Sequence, residues 1–317
     1  MTAAVQVRTP CRLHFGMFGF GCPDRAQFGG VGAMIEPPCV EVEVSPADRF
    51  AVHGSLPDRT RQVVNLLVDR WKLSSLPACE VVVRSPRDHT GLGVGTQLNL
   101  AIAAALRRYL NLAEIPTEEI AAAVGRGARS AVGTYGFQLG GLIVDAGKEP
   151  GQAIGRLATR VALPDAWRFV LFCRPEERGL AGSDETMAFE RLRPVPAEVT
   201  HKLWQITNDE ILPAIEVGDS GTFGDAIFRF GRLAGECFAA VQNGPFASLE
   251  IERLVDSIRA FGVPGAGQSS WGPTVFAVTN DDQQARQLVD WVQSRSADIE
   301  YEFVIARPNN RGAQFDV

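Results

Sequence analysis

Apolar and polar residues alternate early in the chain. Val40, Val42 and Val44 fall on one face of an extended segment and Glu41 and Glu43 on the other, the period of a half-buried strand. Segments 79–84 (CEVVVR) and 140–146 (GGLIVDA) predict two more strands. Between them the period lengthens. Leu98, Ile102, Ala105, Leu106 and Tyr109 mark one face of a helix, and the alanines within 101–105 favour it. Thr117, followed by Glu118 and Glu119, predicts the N-cap and first turn of a second helix over 117–129.

The pattern becomes more helical after a stretch punctuated by Gly and Pro at 148–165. A strand is expected at 167–173 and helices at 198–217 and 222–241. Ile251, Leu254, Val255 and Ile258 follow i, i+3, i+4, i+7 spacing. Strand 274–279, a helical face at Ala285, Leu288, Val289 and Val292, and strand 301–306 complete the reading. The fold class is α+β, with two domains expected over residues 1–160 and 161–317.

A chain of 317 residues with 45% hydrophobic content can bury a full core. Its net charge of −6 lacks the basic footprint of a nucleic-acid binder. No apolar run is long enough to span a bilayer. The six cysteines form no C-x-x-C pair. With no export signal at the start, they point to a reducing cytoplasm.

Five segments carry candidate chemistry. The first is HTGLGVGTQL at 89–98. Gly91, Gly93 and Gly95 let the backbone approach a ligand, the following helix offers N–H groups and a dipole to a phosphate, and Thr96 and Gln97 add side-chain donors. The loop lacks the Gly-Lys-Ser/Thr of a P-loop and the setting of a dinucleotide fold. The second is RTPCRLHFG at 8–16, where Arg8, Arg12 and His14 share a strand face suited to phosphate or carboxylate. The third, 125–141, combines Arg126 and Arg129 with Ser130, Gly133 and Thr134; for Arg126 a helix C-terminal role fits equally. The fourth is a loop before a strand containing Gln268, Ser269 and Ser270, placed to close over a site. The fifth contains Asp184 and Glu185, which could hold Mg²⁺ beside a phosphate or serve as ordinary helix-start charges.

Taken together, P-x-R-L-H-x-G, GLGxGTQL, GRGxRSxxGTxxFxxGG and the S-S-W-G-P loop resemble the GHMP superfamily, named for galactokinase, homoserine kinase, mevalonate kinase and phosphomevalonate kinase. More narrowly, they resemble the β-ribofuranosylaminobenzene 5′-phosphate synthases, from Val7 to about Val278. The chain departs from the kinases. Gly93-Val94-Gly95-Thr96-Gln97 replaces GLGSS, and neither the lysine before the first motif nor the acid after it is present.

The resemblance implies a ribosomal-protein-like N-terminal domain with a left-handed βαβ crossover, a ferredoxin-like C-terminal domain and a site in the cleft between them. It implies phosphoribosyl pyrophosphate and 4-aminobenzoate (or 4-hydroxybenzoate) as substrates, with carbon dioxide and pyrophosphate released in tetrahydromethanopterin biosynthesis. Mg²⁺ is the implied cofactor. A GHMP-type ATP-dependent kinase and a non-catalytic ligand-binding homologue are the rival readings. The sequence singles out neither a monomer nor a homodimer.

Overall fold

The computed structural model describes residues 3–180, 182–242, 244–295 and 300–316. The first half runs β1 (Val5–Met17), β2 (Gly30–Pro46), β3 (Ala51–Gly54), α1 (Pro57–Arg70), β4 (Cys79–Arg84), α2 (Val94–Tyr109), α3 (Thr117–Ala123), α4 (Val132–Leu139), β5 (Leu142–Asp145) and β6 (Leu157–Val161). The second half runs β7 (Arg168–Cys173), α5 (Gly182–Arg191), α6 (Ala197–Ile206), a π-helical turn (Thr207–Ile211), α7 (Leu212–Val217), α8 (Ser220–Glu236) and α9 (Ala239–Gln242). It ends with α10 (Leu249–Ala260), β8 (Gly265–Gln268), β9 (Val275–Thr279), α11 (Asp282–Arg295), β10 (Glu302–Pro308) and β11 (Gln314–Asp316).

Strand β2 is the hub of the sheet. One edge pairs with β1 along its length, and the other is shared by β5, β10 and β4. The β1–β2 register jumps from Pro10↔Cys39 to Cys11↔Ile35, so Glu36, Pro37 and Pro38 bulge out. Prolines cannot donate to a ladder, which confines them to such an interruption. The expected alternation holds beyond the bulge, with Val40, Val42 and Val44 buried. β3 and β4 are parallel and joined by α1. β7, β8, β9 and β10 form an antiparallel sheet backed by α10 and α11, whose Ile251, Leu254, Val255, Ile258, Leu288 and Val292 are buried against Val170, Phe172 and Ala277.

Helix α2 is buried on nearly every side. Its run of alanines makes this feasible, because small side chains let sheet and neighbouring helices approach closely. The helix expected over 117–129 is shorter. It ends at Ala123, because Gly125 and Gly127 turn the chain at φ 65° and 82°. Thr117 is its first residue and does not cap it with its side chain. The glycine-rich candidate segment 125–141 contains α4. The 198–217 helix forms with a π-helical turn just before Pro213, whose missing N–H breaks the regular ladder.

Candidate functional site

The loop between β4 and α2 is set by Gly93. This residue is the N-cap of α2 at φ 68°, and no side chain caps the helix there. An uncapped N-terminus leaves amide donors and the positive end of the dipole for an anion. Arg12 lies under the turn. Its backbone N–H donates to Leu92 O at 2.9 Å, and a Cβ built on Gly93 would sit 3.1 Å from Arg12 Cβ and Nε. The approach therefore requires both a left-handed backbone and no side chain at 93.

Arg12 and the α2 N-terminus open on a cavity of about 630 Å³. Among the described residues, Arg12 Nε has no hydrogen-bond partner, and the guanidinium pairs with no carboxylate. Burial lowers its pKa from 12.5 to about 10, partly offset by Glu185. It remains charged at neutral pH and poorly solvated. Arg126 lines the same cavity, likewise lowered to about 10, first by burial and then by Arg59. It too forms no salt bridge with a carboxylate among the described residues. The neighbouring Arg59 is paired with Asp88, and it lies over Gly95, where a Cβ would collide with its guanidinium. Arg59, Asp88, His89 and Arg126 also line a second, adjoining cavity of about 700 Å³, which adds Arg87 and Arg178.

Another part of the lining is internally satisfied. Arg129 pairs with Glu185 at 2.8 Å, donates to Thr186 Oγ1 at 2.9 Å and stacks on Phe189, with Cζ 4.8 Å from the ring centre. Glu185 also accepts from Trp271 Nε1 at 3.1 Å.

His14 sits on the cavity floor, only 3% exposed. Its Nε2 is 3.2 Å from Ser130 Oγ, which is 3.5 Å from Asp145 Oδ2. Asp145 is fully buried and accepts from the amides of Ala131 (2.6 Å) and Gly147 (2.9 Å). Burial, and then Arg12, hold His14 well below its ordinary 6.5; burial raises Asp145 to about 6 against these hydrogen bonds.

Of the residues singled out from sequence, Gly91, Gly93, Gly95, Thr96, Arg12, His14, Arg126, Arg129, Ser130, Ser270 and Glu185 line the cavity. The others do not. Gln97 is fully buried, accepting from Thr9 Oγ1 at 2.5 Å and donating to Gly133 O at 2.8 Å. It anchors α2 instead of offering an amide to a ligand. Thr134 is fully buried inside α4. Ser269 is a clasp: its Oγ donates to Gly91 O at 2.7 Å and accepts from His14 N at 3.0 Å, locking β1 to the glycine loop. Gln268 is held by Ala247 N and Ser270 O. Asp184 is exposed outside the lining, whereas Glu185 faces in. Adjacent helical residues point in different directions, so the two do not form a joint pair of ligands. Among the described residues no group of three or more His, Cys, Asp or Glu could hold a metal. Arg8, on the expected strand face with Arg12 and His14, is turned to Glu36 and Glu41 outside the cavity.

Sequence reasoning missed Arg59, Asp88 and Asp145. Arg59 carried a usable signal: Pro57 at a first helical turn, followed by Val63, Val64 and Leu67 at helical spacing. Asp145 carried none, being one aspartate at the end of an apolar strand.

Residues 211–297 match the family described as GHMP kinases C terminal. The fold is shared with homoserine kinase from Cytophaga hutchinsonii (TM-score 0.68, 13% identity, 100% of this chain and 98% of that one). It is also shared with mevalonate diphosphate decarboxylase from Staphylococcus aureus (TM-score 0.67, 15% identity, 100% and 99%). Two archaeal proteins are similar in sequence. The β-ribofuranosylphenol 5′-phosphate synthase of Methanothermobacter thermautotrophicus is 30% identical over 89% of this chain and 90% of its own. The enzyme of the same name from Archaeoglobus fulgidus is 29% identical over 99% and 100%. With a two-domain GHMP-type fold and near full-length similarity of this order, the chain belongs to the β-ribofuranosylphenol 5′-phosphate synthase family.

Proposed function

We propose that this chain is a pentosyltransferase that joins the ribosyl carbon of phosphoribosyl pyrophosphate to the carboxylated ring carbon of 4-hydroxybenzoate or 4-aminobenzoate. Carbon dioxide and pyrophosphate are released. The observation that carries this reading is Arg12: a half-buried arginine whose buried Nε has no hydrogen-bond partner and whose guanidinium pairs with no carboxylate among the described residues, under an uncapped helix N-terminus. Such a charge is costly unless a substrate anion completes it. The reaction needs that arrangement, because negative charge grows on the departing pyrophosphate. Fixed donors aimed at developing charge accelerate the step without reorganising.

Arg126 supports a substrate with a second anionic group. It lies at the junction of the two cavities, beside Arg59, and pairs with no carboxylate among the described residues. One cation cluster can hold the leaving pyrophosphate while the other holds the 5′-phosphate. Arg129, Glu185 and Trp271 are bound to one another in the lining, and a site that limits water lets the ring carbon trap the ribosyl cation first.

Mg²⁺ would be carried by the pyrophosphate oxygens, a mode common for this ion. Glu185 is the carboxylate closest to that role in the lining, and it would have to exchange its contact with Arg129 to take part. On this reading the product enters tetrahydromethanopterin synthesis in the cytoplasm.

The test is incubation with phosphoribosyl pyrophosphate, Mg²⁺ and either benzoate. Carbon dioxide and pyrophosphate should appear in equal amounts. ATP-dependent phosphorylation of a sugar or polyol, with no carbon dioxide from the benzoates, would establish the kinase alternative.

A further inference from the structure

We infer that His14 is the proton-accepting group of the site, that Ser130 and Asp145 hold it in one tautomer, and that a polyanion docked on Arg12 prepares it for that role. The inference rests on the reaction proposed above.

The geometry starts at Asp145. Its Oδ1 accepts from Gly147 N, and its Oδ2 accepts from Ala131 N and faces Ser130 Oγ. A hydroxyl has one proton to give and two lone pairs. Ser130 Oγ already accepts from Val132 N at 3.3 Å. Giving its proton to the carboxylate is the favoured direction, because a charged acceptor makes the stronger bond. The second lone pair is then left for His14, which must donate from Nε2. Nδ1 keeps its lone pair and has no partner among the described residues. The chain Asp145–Ser130–His14 therefore delivers a neutral imidazole with a free basic nitrogen to the cavity floor.

The step balances. As the ring carbon bonds to C1′ of the ribose, the C1′–O bond breaks and its electron pair leaves with pyrophosphate. The proton of the 4-hydroxyl (or 4-amino) group passes to His14 Nδ1. Loss of carbon dioxide then breaks the ring–carboxylate bond, whose electron pair restores the aromatic ring, and the imidazolium returns the proton. His14 acts on the reacting system; Ser130 and Asp145 are positioning residues.

Coupling to the anion follows from charge. Two charged groups act on His14 most directly: Arg12 two residues away on β1, and Asp145 through Ser130 on the β5 side. The cavity it opens on also holds Arg59, Asp88, His89, Arg126, Arg129 and Glu185. Of these, Arg59 is paired with Asp88 and Arg129 with Glu185. In the empty site burial is the main opposition to protonation of His14, and the charge of Arg12, only partly offset by Glu185, adds to it. Pyrophosphate on Arg12 removes that added opposition, so the base strengthens when its substrate arrives.

The chain has only four histidines (His14, His53, His89 and His201), so imidazole titration by NMR can be resolved. Inorganic pyrophosphate is the probe and calorimetry reports its binding. The free protein should show His14 as the Nε2–H tautomer. Saturation with pyrophosphate should raise its titration midpoint by one pH unit or more, a tenfold change in proton affinity. Arg12→Met should remove that response. Ser130→Ala should mix the tautomers and lower kcat with little change in KM for phosphoribosyl pyrophosphate, and Ser130→Thr should restore both. Bound pyrophosphate with an unmoved His14 midpoint overturns the coupling, and a single unchanged tautomer in Ser130→Ala overturns the relay. Absence of pyrophosphate binding would overturn the anion cradle itself, and with it the function proposed above.

Discussion

Two arginines line the same cavity, and they are in opposite states. Arg129 has a carboxylate, a hydroxyl and an aromatic ring as partners. Arg12 has no ion-pair partner among the described residues and an orphaned Nε. From sequence they look alike, each an arginine in a glycine-rich, anion-friendly motif. The difference teaches which charge is already spent on the fold. A satisfied pair builds the wall; an unsatisfied, buried cation waits for a ligand.

Arg12→Met breaks the comparison most sharply. Turnover should fall by about 100-fold or more, the scale of losing a donor to a developing oxyanion. The melting temperature should hold or rise, because an unpaired buried charge is gone. A parallel drop in melting temperature would mean that Arg12 is structural. Gly93→Ala comes next. At φ 68° a Cβ strains the backbone by about 1–2 kcal/mol and presses on Arg12. Steady-state kinetics should show roughly a tenfold loss, on the scale of 1.4 kcal/mol in transition-state stabilisation. Wild-type turnover in Gly93→Ala would place the cradle elsewhere.

Arg129→Lys should behave differently from Arg12→Met. Losing the planar fork and its stacking on Phe189 should cost about 1 kcal/mol of stability, read by denaturant unfolding. Turnover should fall by less than tenfold, in step with stability. A large kinetic loss with unchanged stability would put Arg129 on the substrate.

The smallest effect is on the pH profile. Asp145, raised to about 6, takes up a proton as pH falls through that value, and Ser130 then loses its charged acceptor. kcat should fall about twofold near pH 6 on the acid side. The stability linkage of the two buried groups has opposite signs. Between 3.8 and about 6 the folded chain holds a proton on Asp145 that the unfolded chain does not, so this group's contribution falls as pH rises through that window. His14, held below 6.5, does the reverse: the unfolded chain takes up the proton first, so stability rises with pH up to about 6.5. Unfolding measured across pH 4–8 in Asp145→Asn should retain only the histidine component.

Much of the architecture could be read locally. The period-two valines of β2, the apolar face of α2 and the i, i+3, i+4 pattern of α10 each reflect one buried surface, and burial imposes its spacing on the sequence. Misses came where the chain was short or interrupted. Helix α3 stops before its glycines, α4 is short and hidden in a glycine-rich segment, and the alternation of β2 shows only beyond its double-proline bulge. Within the site, Gly93, Arg12, His14 and Ser130 were visible as motif residues. Gln97 and Ser269 were visible too, but for a different job, since a buried amide and a clasping hydroxyl look the same in sequence as ligand donors.

By itself the sequence determined the α+β class, the glycine loop opening a central helix and the family resemblance, because each is written in spacing along one segment. Only the tertiary structure decided which cations are free. Pairing Arg129 with Glu185 joins residues from separate elements, as does pairing Arg59 with Asp88. Asp145 reaches Ser130 only because β5 lies against β2 beside β1. Charge neutralisation depends on distances of a few ångströms in space, and neighbours along the chain do not record them.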